Sequence, residues 1–272
     1  MSSDVREFVR SRDGTRLATW RLGEGPPVLV SAPIGIHPDA WRLVAEALDG
    51  RASLALYACR GMWESDIPQV ESAVTVADHA EDVIAVADAL NDKPIGYLGY
   101  CSGSLPLLEA LAGGLSVRAT MIVSPLFRRG AHEAMISRFI TRVNGHSRAR
   151  DALLSFVYEF SPIEYRERVR TALDDEARLH SFLMTIQGLY LHTPNPQRAK
   201  EVPIRFAAAA EDGLAICQSI THFMAARRNF ADDVVELNGH HFSIFTRPEE
   251  TAHQILAWLG RRRNDEQESR AS

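Results

Sequence analysis

The sequence has few cysteines, almost no lysine, no surplus of positive charge and no long apolar run. Each shortage excludes something. The three cysteines, Cys59, Cys101 and Cys217, are odd in number, widely spaced and form no CxxC pair. They suggest neither a disulfide framework nor a zinc site. Thirty basic residues against 35 acidic ones leave a net charge of −5, which argues against a nucleic-acid partner. Only Lys93 and Lys200 are lysines, an arginine bias that reads as the product of a GC-rich genome. No apolar stretch reaches the roughly 18 residues that a membrane span needs. The N-terminal MSSDVREFVR is polar, unlike a signal peptide. A cytoplasmic, reduced protein with no membrane partner is expected. No metal cluster and no phosphate loop is visible, so no cofactor and no metal are expected.

What remains is a globular composition, 46% apolar and 24% charged over 272 residues. That length suits one large domain, or one domain carrying an insertion. VREFVR and TRLATWRL flank Arg12-Asp13-Gly14 as a hairpin. Short apolar runs then alternate with helical patterns. The strands are read at 26–33, 53–58, 94–101, 119–125, 202–210 and 234–239. The helices are read at 39–48, 75–90, 104–114, 215–228 and 249–260, and Thr75 with Asp78 forms a capping signal. The polar tail after Gly260 reads as frayed.

This alternation predicts an α/β fold: a mostly parallel central sheet flanked by helices, with the antiparallel hairpin at one edge. Residues 127–201 show helical patterns and no convincing strand. The expected organisation is a core of 1–126 and 202–272, with 127–201 inserted as a helical lid. Chemistry in such sheets gathers at the carboxyl ends of the strands.

Gly99-Tyr100-Cys101-Ser102-Gly103 closes a strand and opens a helix, where a nucleophile elbow belongs. Its glycines allow a sharp turn and close packing, and its centre is Cys101. A register centred on Ser102 would need glycines at 100 and 104, where Tyr100 and Ser104 stand. The acid is expected after the strand 202–210, at Asp212, with Glu211 beside it as the alternative. The base is expected after the last strand, at His241, with His240 as the alternative. Three candidates in the order nucleophile, acid, histidine, each following its own strand, point to covalent acyl chemistry.

On these residues the sequence resembles the α/β-hydrolase fold superfamily over residues 5 to 260. Tyr57-Ala58-Cys59-Arg60-Gly61-Met62-Trp63-Glu64-Ser65 resembles the family's strand-four segment, usually D-x-R-G-x-G-x-S. Gly239-His240-His241-Phe242-Ser243-Ile244 resembles the histidine segment of carrier-protein thioesterases. Gly-Tyr-Cys is similar to the elbow of dienelactone hydrolases. The cysteine also resembles that of thioesterase-like aminoacyltransferases that shuttle acyl groups between carrier proteins in secondary metabolism. The family's His-Gly after the third strand is replaced by Ser31-Ala32-Pro33-Ile34-Gly35. Pro33 has no N–H, so the expected oxyanion donors are the backbone N–H groups of Ile34 and Ser102.

The main functional expectation is acyl or aminoacyl transfer between carrier-protein or CoA thiols through an acyl-S-cysteine. Thioester exchanged for thioester is nearly balanced in energy. The alternative is a hydrolase, either a thioesterase or a small ester or lactone hydrolase with the same Cys-His-Asp triad. A binding module with a merely buried Cys101 is the minor alternative. The expected partner is an acyl thioester, borne by an acidic carrier protein docking near Arg138 and Arg142. These two belong to the set Arg128, Arg129, Arg138, Arg142, Arg148 and Arg150, opposed locally by Glu133 alone. The same arginines read more simply as a solvated helix face.

Overall fold

The computed structural model describes residues 5–68, 74–117, 119–125, 127, 151, 154, 163–198, 201–212, 214–228 and 232–271. Eight strands form one sheet. They are β1 (Val5–Arg10), β2 (Arg16–Leu22), β3 (Pro27–Ser31), β4 (Ser53–Tyr57), β5 (Gly96–Tyr100), β6 (Thr120–Val123), β7 (Ile204–Ala209) and β8 (Asp233–Leu237). Their order is β1-β2-β4-β3-β5-β6-β7-β8. The first hairpin is antiparallel to itself and to β4; every other pairing is parallel. All residues of β3, β4, β5, β6 and β7 are buried, as expected of strands covered on both faces.

The helices among the described residues are α1 (Arg42–Ala47), α2 (Val76–Ala89), α3 (Ser104–Ala112), α4 (Ile163–Asp174), α5 (Glu176–Leu191), α6 (Leu214–Arg227), α7 (Ser243–Thr246) and α8 (Pro248–Ala271). The two faces of the sheet carry separate cores. One holds Val28, Val30, Leu54, Leu56 and Leu98 against Trp41, Val44, Ile255 and Trp258 of the α1–α8 side. The other holds Leu29, Tyr97, Ile122 and Phe206 against α2, α3 and α6. Thr75 and Asp78 form the expected capping box: each side chain accepts the other's backbone N–H, at 3.3 and 2.9 Å.

Two expectations about helices are corrected. The helix read at 39–48 starts as a 3-10 turn, Pro38–Trp41, before α1. The helix read at 249–260 does not stop at Gly260; α8 continues to Ala271. No proline follows Gly260, and adding residues to an existing helix is far easier than nucleating one. No helix among the described residues is long and apolar enough to cross a membrane.

Of the segment read as a lid, 127–201, residues 127, 151, 154, 163–198 and 201 are described. The helix α5 lies against the exit of β4, where Arg178 Nη1 donates to the carbonyls of Gly61 and Ser65 at 3.4 and 3.1 Å. A β-carbon at Gly61 would collide with Ser181. Leu154, Leu173, Phe182 and Ile186 enter the same apolar cluster as Met62, Trp63 and Cys101. The expected docking residues Arg138 and Arg142 lie outside the described residues, as do Arg128, Arg129, Arg148 and Arg150.

The exit of β4 is fixed by a buried ion network. Arg60, 1% exposed, donates through Nε to Asp82 Oδ2 at 2.8 Å and through Nη1 to Asp13 Oδ2 at 2.7 Å. It also donates to Ser11 Oγ at 3.3 Å. One guanidinium thus joins the first hairpin, the β4 exit and α2. Removing one member of a buried pair strands the other without water. Arg60→Met is therefore expected to lower unfolding free energy by about 3–5 kcal/mol, read as a lower urea midpoint. Arg12 and Glu81 are exposed partners, and Arg12→Ala is expected to leave the midpoint unchanged.

Candidate active site

Five strand ends, those of β3, β5, β6, β7 and β8, meet at the site. In register, Ser31 of β3 pairs with Gly99 of β5, and Tyr100 of β5 pairs with Val123 of β6. Residues that follow these strands, and β7 and β8, therefore reach one edge of the sheet together.

Cys101 follows β5 directly and has φ +52°, a left-handed backbone that non-glycine residues rarely adopt. The residue is 9% exposed. The turn works because both flanking glycines sit in contact. A β-carbon at Gly103 would collide with the carbonyl oxygens of Ser31 and Ala32, and one at Gly99 would come within 3.0 Å of the Ser104 Cα. Residues 101–103 form a 3-10 turn that runs into α3. The Ser102 N–H lies in that opening turn, where a helix start favours negative charge.

Asp212 follows β7. Its Oδ2 accepts the Ala209 N–H at 2.9 Å, and its side chain is fully buried. His241 follows β8, and its Nδ1 meets Asp212 Oδ1 at 2.7 Å. The Cys101 side chain lies close enough to act electrostatically on the His241 ring. The structure thus brings Cys101, Asp212 and His241 together. His240 and Glu211 are exposed, and His240 Nδ1 accepts the Phe242 N–H at 3.2 Å.

The site's charge is set by these contacts. Burial pulls the His241 pKa down. The Cys101 negative charge and the hydrogen bond to Asp212 outweigh it and push the ring up to about 10. Burial raises the Asp212 carboxyl, but the hydrogen bond and charge of His241 hold it below the usual range. The Tyr100 phenol is driven well above its ordinary value by burial, then by the charges of Cys101 and Asp212.

The two expected oxyanion donors are adjacent. The Ile34 N–H donates to Ser102 Oγ at 3.1 Å. That donor is engaged by the elbow's own hydroxyl here and must be released to serve a substrate oxygen.

Two residues of the cluster are not singled out by the sequence. Tyr100 donates from its hydroxyl to the His241 carbonyl at 2.6 Å, pinning the histidine loop to β5. Ser124, just past β6, donates its hydroxyl to Asp212 Oδ2. Its position at a strand's carboxyl end, before Pro125, is the signal that marks it.

Comparison with known proteins shows the family and the fold. The sequence model of the alpha/beta hydrolase family matches residues 25–254. A probable oxidoreductase, EphD, of Mycobacterium tuberculosis is 30% identical over 165 residues. That stretch is 58% of this chain but 24% of EphD, so the match spans about a quarter of the relative's length. Among solved structures, an esterase from Exiguobacterium antarcticum superposes with TM-score 0.76 at 14% identity, over 94% of this chain and 100% of that one. The epoxide hydrolase VrEH1 from Vigna radiata gives 0.73 at 17%, over 96% and 99%. A bromoperoxidase from Bacillus anthracis gives 0.76 at 13%, over 94% and 100%. At these identities the likeness shows the shared fold.

The His241 proton has a measurable signature. An unfolded ring titrates near 6.5, and the folded ring near 10. A raised pKa stabilises the fold fully below pH 6.5, and that contribution is lost as pH rises towards 10. The stability advantage of wild type over His241→Gln is expected to shrink across this window in urea titrations at stepped pH. In Asp212→Asn the NMR titration midpoint of His241 is expected to drop below the wild-type value.

Proposed function

We propose that this chain, which belongs to the alpha/beta hydrolase family, hydrolyses a small acyl ester or thioester through an acyl-S-cysteine at Cys101. The observation that carries the reading is Cys101 at φ +52° beside the 2.7 Å His241–Asp212 pair. A nucleophile, a base and an orienting acid in contact form the minimum set for covalent acyl transfer.

In this mechanism the Cys101 thiolate attacks the acyl carbonyl carbon. A C–S bond forms and the carbonyl π pair moves onto oxygen. That oxyanion is held by the backbone N–H groups of Ser102 and Ile34, the latter freed from Ser102 Oγ. His241 gives its proton to the leaving oxygen or sulfur as the tetrahedral state collapses. Its neutral ring then takes a proton from water, which attacks the acyl-cysteine, and the thiolate departs. Asp212 holds the ring in one orientation throughout and stabilises its charged form.

Hydrolysis stands ahead of the thiol-to-thiol transfer first read from the sequence. The family and its structural neighbours, an esterase and an epoxide hydrolase among them, favour a hydrolase. Transfer keeps one supporting observation, the sulfur itself. A cysteine nucleophile makes the acyl-enzyme a thioester, which a second thiol can resolve at little cost. Met62, Trp63, Phe182 and Ile186 are buried in the same apolar cluster as Cys101, which supports an apolar acyl group and a lid role for α5.

Intact-protein mass spectrometry with a panel of p-nitrophenyl esters and acyl-CoA thioesters tests this. Wild type is expected to gain the acyl mass transiently and to release free acid. Cys101→Ala is expected to gain none, while Cys59→Ala and Cys217→Ala behave as wild type. Acylation of the Cys101→Ala protein would overturn the nucleophile assignment. Product that appears only when an acceptor thiol is added would make transfer the activity.

A further inference from the structure

We infer that Ser124 is a positioning residue of the active site, the far end of the hydrogen-bonded chain Ser124–Asp212–His241 that leads towards Cys101. This inference rests on the hydrolase reading of the same site.

Two independent observations carry it. The first is the hydrogen-bond arrangement. Asp212 has two carboxylate oxygens with separate duties. Oδ1 faces His241 Nδ1 at 2.7 Å. Oδ2 accepts from the Ala209 N–H at 2.9 Å and from the Ser124 hydroxyl. A carboxylate with one donor on Oδ2 can still pivot about its Cβ–Cγ bond. Donors from two strands, β6 and β7, fix the plane of the group and so fix the direction in which Oδ1 meets the imidazole. The groups facing this pair are the Cys101 side chain on the His241 ring and the Tyr100 hydroxyl on the His241 carbonyl.

The second observation is the backbone. Ser124 has φ +43° and is 1% exposed. A buried non-glycine residue in the left-handed region stores strain of a kind that clusters at functional sites. Glycine would adopt this φ without a side-chain penalty. The strained backbone is held by the bond from the Ser124 N–H to the Ala207 carbonyl at 2.7 Å. What serine adds at this position and glycine lacks is the hydroxyl, and the hydroxyl is spent on Asp212. The Ser124 bond is also among the causes that keep the Asp212 carboxyl low, behind burial, which opposes it, and the two His241 contributions.

A structural role and a positioning role predict opposite orders for two variants. Ser124→Gly relieves the backbone and removes the donor. It is expected to keep or raise the melting temperature while kcat for ester hydrolysis falls about ten- to hundred-fold, the scale of a hydrogen bond to a charged group, with KM unchanged. Ser124→Thr keeps the donor but puts a β-branched residue at positive φ. It is expected to melt lower while retaining most of kcat. Ser124→Ala, which lacks the hydroxyl but keeps the β-carbon, is expected to match Ser124→Gly in kcat and decides the matter if the threonine variant does not fold.

The second readout needs no substrate. The NMR titration midpoint of His241 is expected to move from its wild-type position in the glycine and alanine variants, because Asp212 loses a partner, and to stay in place in threonine. Wild-type kcat and an unmoved His241 midpoint in both Ser124→Gly and Ser124→Ala would overturn the assignment. A wild-type protein that hydrolyses none of the esters overturns the hydrolase reading instead. The His241 midpoints would still decide the place of Ser124 in the chain.

Discussion

Where Gly103 passes the carbonyl oxygens of Ser31 and Ala32 there is no room for a β-carbon. Much of the site depends on this contact. It sets how closely the start of α3 approaches the end of β3, and so how sharply the chain must turn between β5 and α3. The turn puts Cys101 at φ +52° and places it at the start of the 3-10 turn that opens α3. It also brings the β3 loop near enough for the Ile34 N–H to reach Ser102 Oγ at 3.1 Å. The Cys101 turn and the loop carrying Ile34 are therefore parts of one packing arrangement, and neither can shift without the other.

A second anchor lies across the sheet, in the Arg60 network. Arg60 takes up Asp82 and Asp13 with little exposure to water. Such a pair adds little net stability over an apolar equivalent, but it tolerates the loss of one partner poorly. Its effect is geometric. It holds the segment after β4, and that segment carries the Gly61 and Ser65 carbonyls on which Arg178 of α5 rests. Met62 and Trp63 of the same segment share a cluster with Cys101. The hairpin at the sheet's far edge thus reaches the apolar wall of the site through one guanidinium.

The core fold was legible because its signals are local. Buried parallel strands read as short apolar runs, the capping box of Thr75 and Asp78 is four residues long, and the elbow announces itself through two glycines around Cys101. Asp212 and His241 were legible as strand-end residues in a fixed order, and in the structure the two side chains meet at 2.7 Å. What the sequence hid depends on distance along the chain. The Ser124 bond to Asp212 and the Tyr100 bond to the His241 carbonyl join residues 88 and 141 positions apart. No local pattern encodes such a contact. The end of α8 was misread for another reason: Gly260 is a stop signal by propensity, and propensity is a weak prior once a packed helix is under way. Transfer was ranked above hydrolysis because the sequence displays the sulfur but not which acceptor the site admits.

Strain at this site is concentrated. Cys101 and Ser124 follow adjacent strands, and both hold positive φ without being glycine. Each such residue costs on the order of 1–3 kcal/mol, so the pair is a sizeable burden for a protein of ordinary marginal stability. The burden is tolerable because β5 and β6 are buried along their whole length and paired on both sides. Rigid strands over-determine the turns that leave them. Both strained turns then deliver a side chain to the same histidine: Cys101 meets the ring directly, and Ser124 meets it through Asp212. A loop free to relax would lower the energy of either residue and lose the alignment of both. The stiff centre of the sheet is thus what permits these two strained turns, and it places the proposed site beyond β5 and β6 and away from the exposed hairpin.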